Sequence, residues 1–264
     1  MVYNIDAPAP PAHGGPLAGQ AAVVTGGSRG IGRAIVRRLA GDGATVVFTY
    51  NSHQAAAEQL VDEVGGAGGR AHAVALDLRD LARLEALSST ADEVFSRAGL
   101  AGLDILVNNA GVLATGSIAE VTEVDYDRIM ATNAKGVFFA IQHAARRLRD
   151  GGRIINISTV STIWPSPGEA IYAASKAALE QFTRVASREL GSRGITVNTV
   201  SPGPTGTDLL RGASSVDTLQ GVATLTPLGR LGQPADIADL IALLVRADSR
   251  WVTGQNIRAD GGLT

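Results

Sequence analysis

Apolar residues along this chain alternate between short continuous runs and stretches with helical spacing. The run at residues 21–24 ends in a glycine-rich turn, and Ile35, Val36 and Leu39 then recur on one face of a helix. The pattern therefore predicts a strand, a glycine loop and a helix, in that order.

The same alternation continues to the C-terminus. Further strands are predicted at 45–49, 71–76, 103–107, 153–157, 195–200 and 255–258. Helices are predicted at 54–64, 81–95, 125–148, around Tyr172 and at 235–245. Right-handed crossovers wind such a chain into a single-domain, Rossmann-type α/β fold, a doubly wound parallel sheet of seven strands with helices on both faces. Its ligand crevice is expected beyond the carboxyl ends of the strands.

Length and composition agree with one catalytic domain, predicted over residues 19–264. A chain of 264 residues with 45% hydrophobic residues can bury one substantial core. Residues 1–18 are rich in proline and glycine and lack a basic segment followed by an apolar run, so a flexible leader is predicted. No stretch approaches the roughly 18 apolar residues of a membrane span, and a soluble, cytoplasmic protein is expected.

The net charge and the content of cysteine and histidine limit the classes of binding partner. Lys and Arg number 23 against 25 Asp and Glu, a formal charge of -2, which argues against a nucleic-acid footprint or a polybasic membrane surface. Cysteine is absent and the four histidines are scattered, so no metal site is predicted. The expected partner is a small molecule.

Tyr172 and Lys176 are the most informative candidates for chemistry. Four residues apart on a predicted helix, they share one face. A fixed positive charge near a phenol favours the phenolate, so the pair predicts a lowered pKa for Tyr172 and a group that can relay a proton. Such pairs also arise by chance on many helices.

The turn after the first strand is a candidate phosphate site. Gly26, Gly30 and Gly32 let backbone and helix N-terminus approach a pyrophosphate, with Ile31 contributing its backbone. Turn chemistry alone is the alternative.

The end of the second strand bears on cofactor choice. An NAD-specific site usually places a carboxylate there, but Tyr50, Asn51 and Ser52 include no acid. Together with Ser28 and Arg29 of the glycine loop, these residues suit a 2′-phosphate, so NADP(H) is preferred. If Arg29 is only a solvated charge, NAD(H) is accepted as well.

Several motifs in order resemble the short-chain dehydrogenase/reductase family over about residues 19–262. They are the glycine loop from Thr25 to Gly32, Asp77-Leu78, Asn108-Asn109-Ala110-Gly111, Asn133, Tyr172 with Lys176, and Pro202-Gly203. The closest likeness is to 3-oxoacyl-carrier-protein reductases and ketoreductases.

The resemblance implies catalytic roles. Tyr172 is the implied proton donor, Lys176 the residue that holds the nicotinamide ribose, and Asn133 the residue that holds a water linking Lys176 to solvent. The family's serine is replaced by Thr159, a hydroxyl that can also donate to a carbonyl, with Ser158 as the alternate.

The resemblance also implies further cofactor contacts. Asp77 and Leu78 are expected at the adenine, although Asp77 can instead cap the following helix. The remaining members of the implied set are Asn108, Ala110 and Gly111 after the fourth strand, and Pro202, Gly203 and Thr205 after the sixth. Thr205 can alternatively satisfy its own turn.

The function expected is NADPH-dependent reduction of a ketone or a 3-oxoacyl-like or polyketide-like carbonyl to an alcohol. The alternatives are an alcohol, sugar or steroid dehydrogenase working toward oxidation, and a non-catalytic dinucleotide sensor. Residues 205–230, with several glycines between short apolar runs, predict a lid over the substrate. The resemblance further implies a homotetramer.

Overall fold

The computed structural model describes residues 14–213 and 215–264 and confirms the predicted fold. One sheet of seven parallel strands runs through the domain. The strands are β1 (Ala21–Thr25), β2 (Thr45–Tyr50), β3 (Arg70–Ala75), β4 (Leu103–Asn108), β5 (Leu148–Ile157), β6 (Thr196–Pro202) and β7 (Asn256–Ala259).

Helices connect these strands on both faces of the sheet. They are α1 (Gly30–Gly41), α2 (Gln54–Gly66), α3 (Leu81–Arg97), α4 (Glu123–Met130), α5 (Val137–Arg147), α6 (Ala170–Leu190), α7 (Asp208–Ala213), α8 (Val216–Leu225) and α9 (Pro234–Val245). The single long helix predicted at 125–148 is divided, because a π-helical turn, Ala131–Gly136, separates α4 from α5.

The strand order β3-β2-β1-β4-β5-β6-β7 fixes where ligands can bind. The chain first builds outward from β1 and then, after β3, returns to the other side of β1 with β4. The order therefore reverses between β1 and β4, and a crevice opens there beyond their carboxyl ends.

Alternation along the buried strands divides the core into two layers. Ala22 and Val24 of β1 pack with α1, α2 and α9, whereas Ala21 and Val23 pack with α3, α5 and α6. Successive side chains of a strand point to opposite faces, so a strand covered by helices on both sides is apolar at every position. The sheet is thereby held rigidly beneath the loops at its carboxyl edge.

The N-terminal boundary of the folded domain lies before residue 18, where the leader was predicted to end. Leu17 is fully buried in the core, and its N–H donates to the Asp42 carbonyl at 2.9 Å. Residues 1–13 of the predicted leader lie outside the described residues. No helix in the described parts of the chain is both long and apolar enough to cross a membrane.

Candidate active site

One large cavity, of about 740 Å³, opens at the carboxyl edge of the sheet at the reversal point. Its floor is formed by the glycine loop and by the ends of the strands. The segment that includes α7 and α8 lines its outer wall through Leu209, Leu219 and Leu225. This is the segment predicted to act as a lid, and its closure remains a prediction.

The glycine loop is shaped by positions that reject a side chain. Gly26 and Gly30 have φ values of 67° and 55°, in the left-handed region that favours glycine. A Cβ on Gly32 would lie 2.1 Å from the Gly26 carbonyl oxygen. The Arg29 side chain does not cap α1, so the first N–H groups of this helix remain available to a ligand.

Asn109, which was not singled out from the sequence, holds this loop in place. Its Nδ2 donates to the carbonyl oxygens of Thr25 at 3.1 Å and Gly26 at 2.9 Å. The Thr25 hydroxyl in turn accepts from the N–H groups of Asn109 and Ala110, both at 3.1 Å. The loops after β1 and β4 are therefore tied together. The motif Asn109 belongs to was the available signal.

The neighbouring Asn108 lies elsewhere. It is 1% exposed, does not line the cavity, and donates from Nδ2 to Asn156 Oδ1 at 2.9 Å. It was expected along the adenosine, but the structure places its side chain in the sheet core. Ala110 and Gly111 do line the cavity.

The end of β2 forms a polar group with the glycine loop. Arg29, Ser52 and His53 are linked, because His53 Nε2 lies 3.2 Å from Arg29 Nη1 and His53 Nδ1 lies 3.0 Å from Ser52 Oγ. Tyr50, Asn51 and Ser28 line the cavity beside them. His53 was not predicted, although its position directly after Ser52 was a signal. No carboxylate occurs in residues 49–53.

The end of β3 presents Asp77 and Leu78 to the cavity. Asp77 accepts from Arg79 at 2.6 Å, and the hydrogen bonds from this guanidinium hold the pKa of the carboxyl below its usual value. The cap of the following helix is Asp80, whose side chain accepts from the Arg83 N–H. Asp77 is therefore not the capping residue.

Tyr172 stands on the first turn of α6, opposite the end of β5. Its phenol lines the cavity and lies close enough to the Thr159 hydroxyl for that group to act on the phenol's pKa. The Thr159 hydroxyl also donates to Ser161 Oγ at 3.1 Å, and Ser161 donates to Glu169 Oε2 at 2.7 Å. Two candidate catalytic hydroxyls are thus brought together, with a carboxylate that was not predicted.

The pKa of Tyr172 is shifted in the direction opposite to the prediction. Burial and, to a lesser extent, the charge of Glu169 raise it to about 12, although the nearby Thr159 hydroxyl acts to lower it. The expectation from spacing was wrong because it counted Lys176 and ignored burial. The phenol is therefore protonated at neutral pH.

Lys176 lies one turn further along α6 and is 3% exposed. Its Nζ donates to the Ile157 carbonyl at 2.8 Å, and burial lowers the pKa of the ammonium to about 8. A Cβ on Gly111 would lie 3.1 Å from this Nζ, so a glycine at this position leaves enough space for the lysine side chain. Lys176 lines the cavity next to Tyr172.

Asn133 lies in the π-helical turn and is fully buried. Its Oδ1 accepts from the Val112 N–H, and its Nδ2 donates to the Val112 carbonyl, both at 2.9 Å. A third bond joins Nδ2 to Ser175 Oγ at 3.1 Å. The side chain thus fixes the loop after β4 against α6, and π turns of this kind often occur at functional sites. Its implied role toward a water remains a prediction.

Of the two candidate hydroxyls after β5, the geometry favours Thr159. Ser158 is 3% exposed, and its hydroxyl donates to Glu180 Oε1 at 2.9 Å, inside the domain. Thr159 faces Tyr172. Beyond β6, Pro202, Gly203 and Thr205 line the cavity, and the Thr205 hydroxyl donates to the Gly203 carbonyl at 2.8 Å, which satisfies its own turn.

These residues fit a nicotinamide dinucleotide. The cavity extends without interruption from Ser52, past the open helix N-terminus, to Tyr172. Backbone amides and close-packed glycines suit a pyrophosphate, and the Arg29 group suits a further phosphate.

Comparison with known proteins agrees with this geometry. The family model described as Enoyl-(Acyl carrier protein) reductase matches residues 26–264. An uncharacterized oxidoreductase of Methylorubrum extorquens is 45% identical over 249 residues, which cover 94% of this chain and 98% of that protein. A hydroxynaphthalene reductase-like protein of Metarhizium brunneum is 40% identical over 259 residues, with 93% and 95% covered.

A solved structure has the same architecture. The angucycline C-6 ketoreductase LanV with bound NADP superposes with a TM-score of 0.88 at 43% identity, over 94% of this chain and 97% of that one.

Proposed function

The chain belongs to the short-chain dehydrogenase/reductase family of NAD(P)-dependent oxidoreductases, and we propose that it reduces a ketone to an alcohol with NADPH. The observation that carries this proposal is that the phenol of Tyr172 and the hydroxyl of Thr159 lie close together at the cavity wall, beside Lys176. A protonated phenol and a second hydroxyl there can both reach one carbonyl oxygen.

NADPH held in this cavity would supply a hydride to the carbonyl carbon. The Thr159 hydroxyl turns from Ser161 to the substrate oxygen and orients it. Tyr172 would donate its proton to that oxygen as the π electrons of the C=O bond move onto it, so the products would be the alcohol, NADP⁺ and a Tyr172 phenolate. The Lys176 ammonium favours this phenolate by its charge.

The two directions of reaction start from different protonation states of Tyr172. Reduction needs the phenol with its proton, and a pKa of about 12 provides that form at neutral pH. Oxidation of an alcohol needs the phenolate at the start. The reductive proposal is supported by similar proteins, which include a hydroxynaphthalene reductase-like protein and a ketoreductase.

The preference for NADPH is supported at the end of β2. Arg29 lines the cavity there with Ser52 and His53, and no carboxylate stands in residues 49–53 to receive a ribose hydroxyl. The ketoreductase LanV, similar along its whole length, was solved with NADP.

A polyketide-type ketone is the proposed substrate class, since LanV is an angucycline ketoreductase.

Replacement of Tyr172 by Phe tests the proposal. The variant should bind NADPH as the wild type does and lose ketone reduction by at least about a hundredfold, the low end for a positioned proton donor. Binding is followed by NADPH fluorescence and turnover by NADPH absorbance on a panel of aromatic ketones. Near-normal turnover in the variant refutes the role of Tyr172. NADPH binding without turnover in the wild type supports a non-catalytic sensor.

We also propose a homotetramer. Phe138 on α5 and Val185 on α6 are 44% and 46% exposed, and the Phe138 and Phe182 rings are 5.3 Å apart, so the two helices share an apolar outer face. Trp251, after α9, is 95% exposed at the other end of the chain. Light scattering that gives the mass of one chain would contradict the proposal.

A further inference from the structure

Glu169 occupies the N-cap position of α6 but does not cap the helix. Its side chain accepts no hydrogen bond from the first turn of α6. It accepts from Ser161 Oγ at 2.7 Å instead, and both residues line the cavity. A short polar side chain at this position normally stabilises the helix by about 1 kcal/mol. The chain therefore places a negative charge in the cavity where a capping residue could stand.

The carboxylate is close to the proposed site of reduction. Thr159 donates to Ser161 and Ser161 to Glu169, so Glu169 is two hydrogen bonds away from the hydroxyl that meets Tyr172. Its charge also acts on the pKa of Tyr172 directly. Only Oε2 is engaged, because Oε1 has no hydrogen-bond partner among the residues the structure describes. One acceptor is left for a ligand.

Large apolar side chains line the same cavity as this acceptor. Trp164, Leu209 and Leu225 line the cavity and are 46%, 48% and 64% exposed, so their apolar surface faces the open space. Pockets of this kind bind ring-shaped apolar ligands and select them through a few polar groups. The other charged side chains on the substrate side include Asp208 of α7 and Arg128 of α4, and Arg128 is paired with Asp125 at 3.2 Å.

We propose that Glu169 binds a hydroxyl group of the substrate and so selects apolar ring ketones that carry a hydroxyl a few bonds from the carbonyl. The same charge disfavours ketones with a carboxylate there. This inference rests on the proposed ketone reduction and adds the substrate class to it. Glu169 is a specificity-determining residue in this scheme, and Tyr172 remains the proton donor.

The size of the expected selectivity follows from the kind of bond. Hydrogen bonds to charged groups are stronger than neutral ones, and one such bond changes an equilibrium by about tenfold to a hundredfold. A methyl ether in place of the hydroxyl cannot donate, and it also leaves the carboxylate oxygen facing an apolar group. Discrimination between the two should therefore reach at least about tenfold in kcat/KM.

The experiment uses 1-tetralone, hydroxytetralones that differ in the ring position of the hydroxyl, and the methyl ether of each. For at least one position, the wild type should prefer the hydroxyl compound at least about tenfold. Glu169→Leu should abolish that preference while still reducing 1-tetralone. Glu169→Gln keeps the shape of the side chain and a neutral acceptor, so it should weaken the hydroxyl preference only in part. This variant also guards against misfolding of the leucine variant.

Glu120→Leu is the matched control. Glu120 also accepts from a serine, Ser117, at 2.6 Å, but it does not line the cavity. Its replacement should leave the hydroxyl preference intact. An unchanged preference in Glu169→Leu, with Tyr172→Phe inactive, overturns this inference and leaves the ketone reductase standing. A wild type that reduces no tetralone at all overturns this substrate class.

The pH profile of the reverse reaction gives a second readout, which a purely structural role does not move. The Glu169 charge contributes to the high pKa of Tyr172, whereas Lys176 on the next turn of α6 and Asp208 and Arg128 across the cavity are unchanged in the variant. Oxidation of the tetralols needs the phenolate. Its alkaline rise should therefore begin at lower pH in Glu169→Leu, and an identical profile would contradict the placement of Glu169.

Discussion

The buried charge of Lys176 should destabilise the folded domain, and Lys176→Met tests this prediction directly. Its pKa falls from 10.5 to about 8 through burial alone, so the folded state binds the charged ammonium poorly. Each pKa unit corresponds to about 1.4 kcal/mol, which makes the burial cost on the order of 3 kcal/mol at neutral pH. Methionine carries no charge and fills a similar volume, but it loses the bond to the Ile157 carbonyl. A net gain of about 1 to 3 kcal/mol in unfolding free energy is expected.

The pH dependence gives this prediction its sign. Between pH 8 and 10.5 the unfolded chain holds a proton on Lys176 that the folded chain has released, so wild-type stability gains from rising pH. The penalty is complete below the folded pKa and lost above the unfolded one. The advantage of Lys176→Met should therefore shrink to less than about 1 kcal/mol at pH 10.

The assay is urea unfolding of both proteins without cofactor at pH 7 and pH 10, since the difference between them cancels other titrating groups. Lys135, the other lysine of the chain, is exposed in the π-helical turn, and Lys135→Met should change stability by less than about 0.5 kcal/mol at both pH values. Lys176→Met should also lose ketone reduction. A variant that is less stable than the wild type at pH 7, or an advantage independent of pH, refutes the reasoning.

Two further predictions concern the loops around the cavity. Asn133→Ala removes three hydrogen bonds, so it should lower the unfolding free energy by about 2 to 3 kcal/mol and speed hydrogen exchange at the Val112 amide. Thr132→Ala, whose hydroxyl donates to the Arg128 carbonyl one turn earlier, should change neither, and unchanged exchange in Asn133→Ala contradicts the assigned contacts. Arg29→Leu should raise the KM for NADPH at least about tenfold and leave the KM for NADH unchanged, because only NADPH carries the 2′-phosphate. Arg33→Leu, which removes a salt bridge to Glu63, is the control, and equal effects of Arg29→Leu on both cofactors would show that Arg29 does not contact the 2′-phosphate.

Much of the fold followed from the sequence alone. Seven apolar runs separated by helical spacing determined the strands, because strands covered on both faces must be apolar at every position. The glycine-rich turn from β1 into α1 indicated where the crevice lies, and the structure adds that Gly32, in the first turn of α1, has no room for a Cβ beside the Gly26 carbonyl. The spacing of Tyr172 and Lys176 placed them on one helix face, which is a local property of the backbone.

Other features were decided by contacts between segments distant in sequence. The opposite pKa shift of Tyr172 depends on burial and on Glu169, and neither is visible in a four-residue spacing. Asn108 and Asn109 are adjacent and chemically identical, yet one is directed into the sheet and the other to the glycine loop, because successive residues at a strand end face opposite ways. Periodicity along the chain determines which elements form, whereas the charge state and direction of a side chain depend on what the packed elements bring against it.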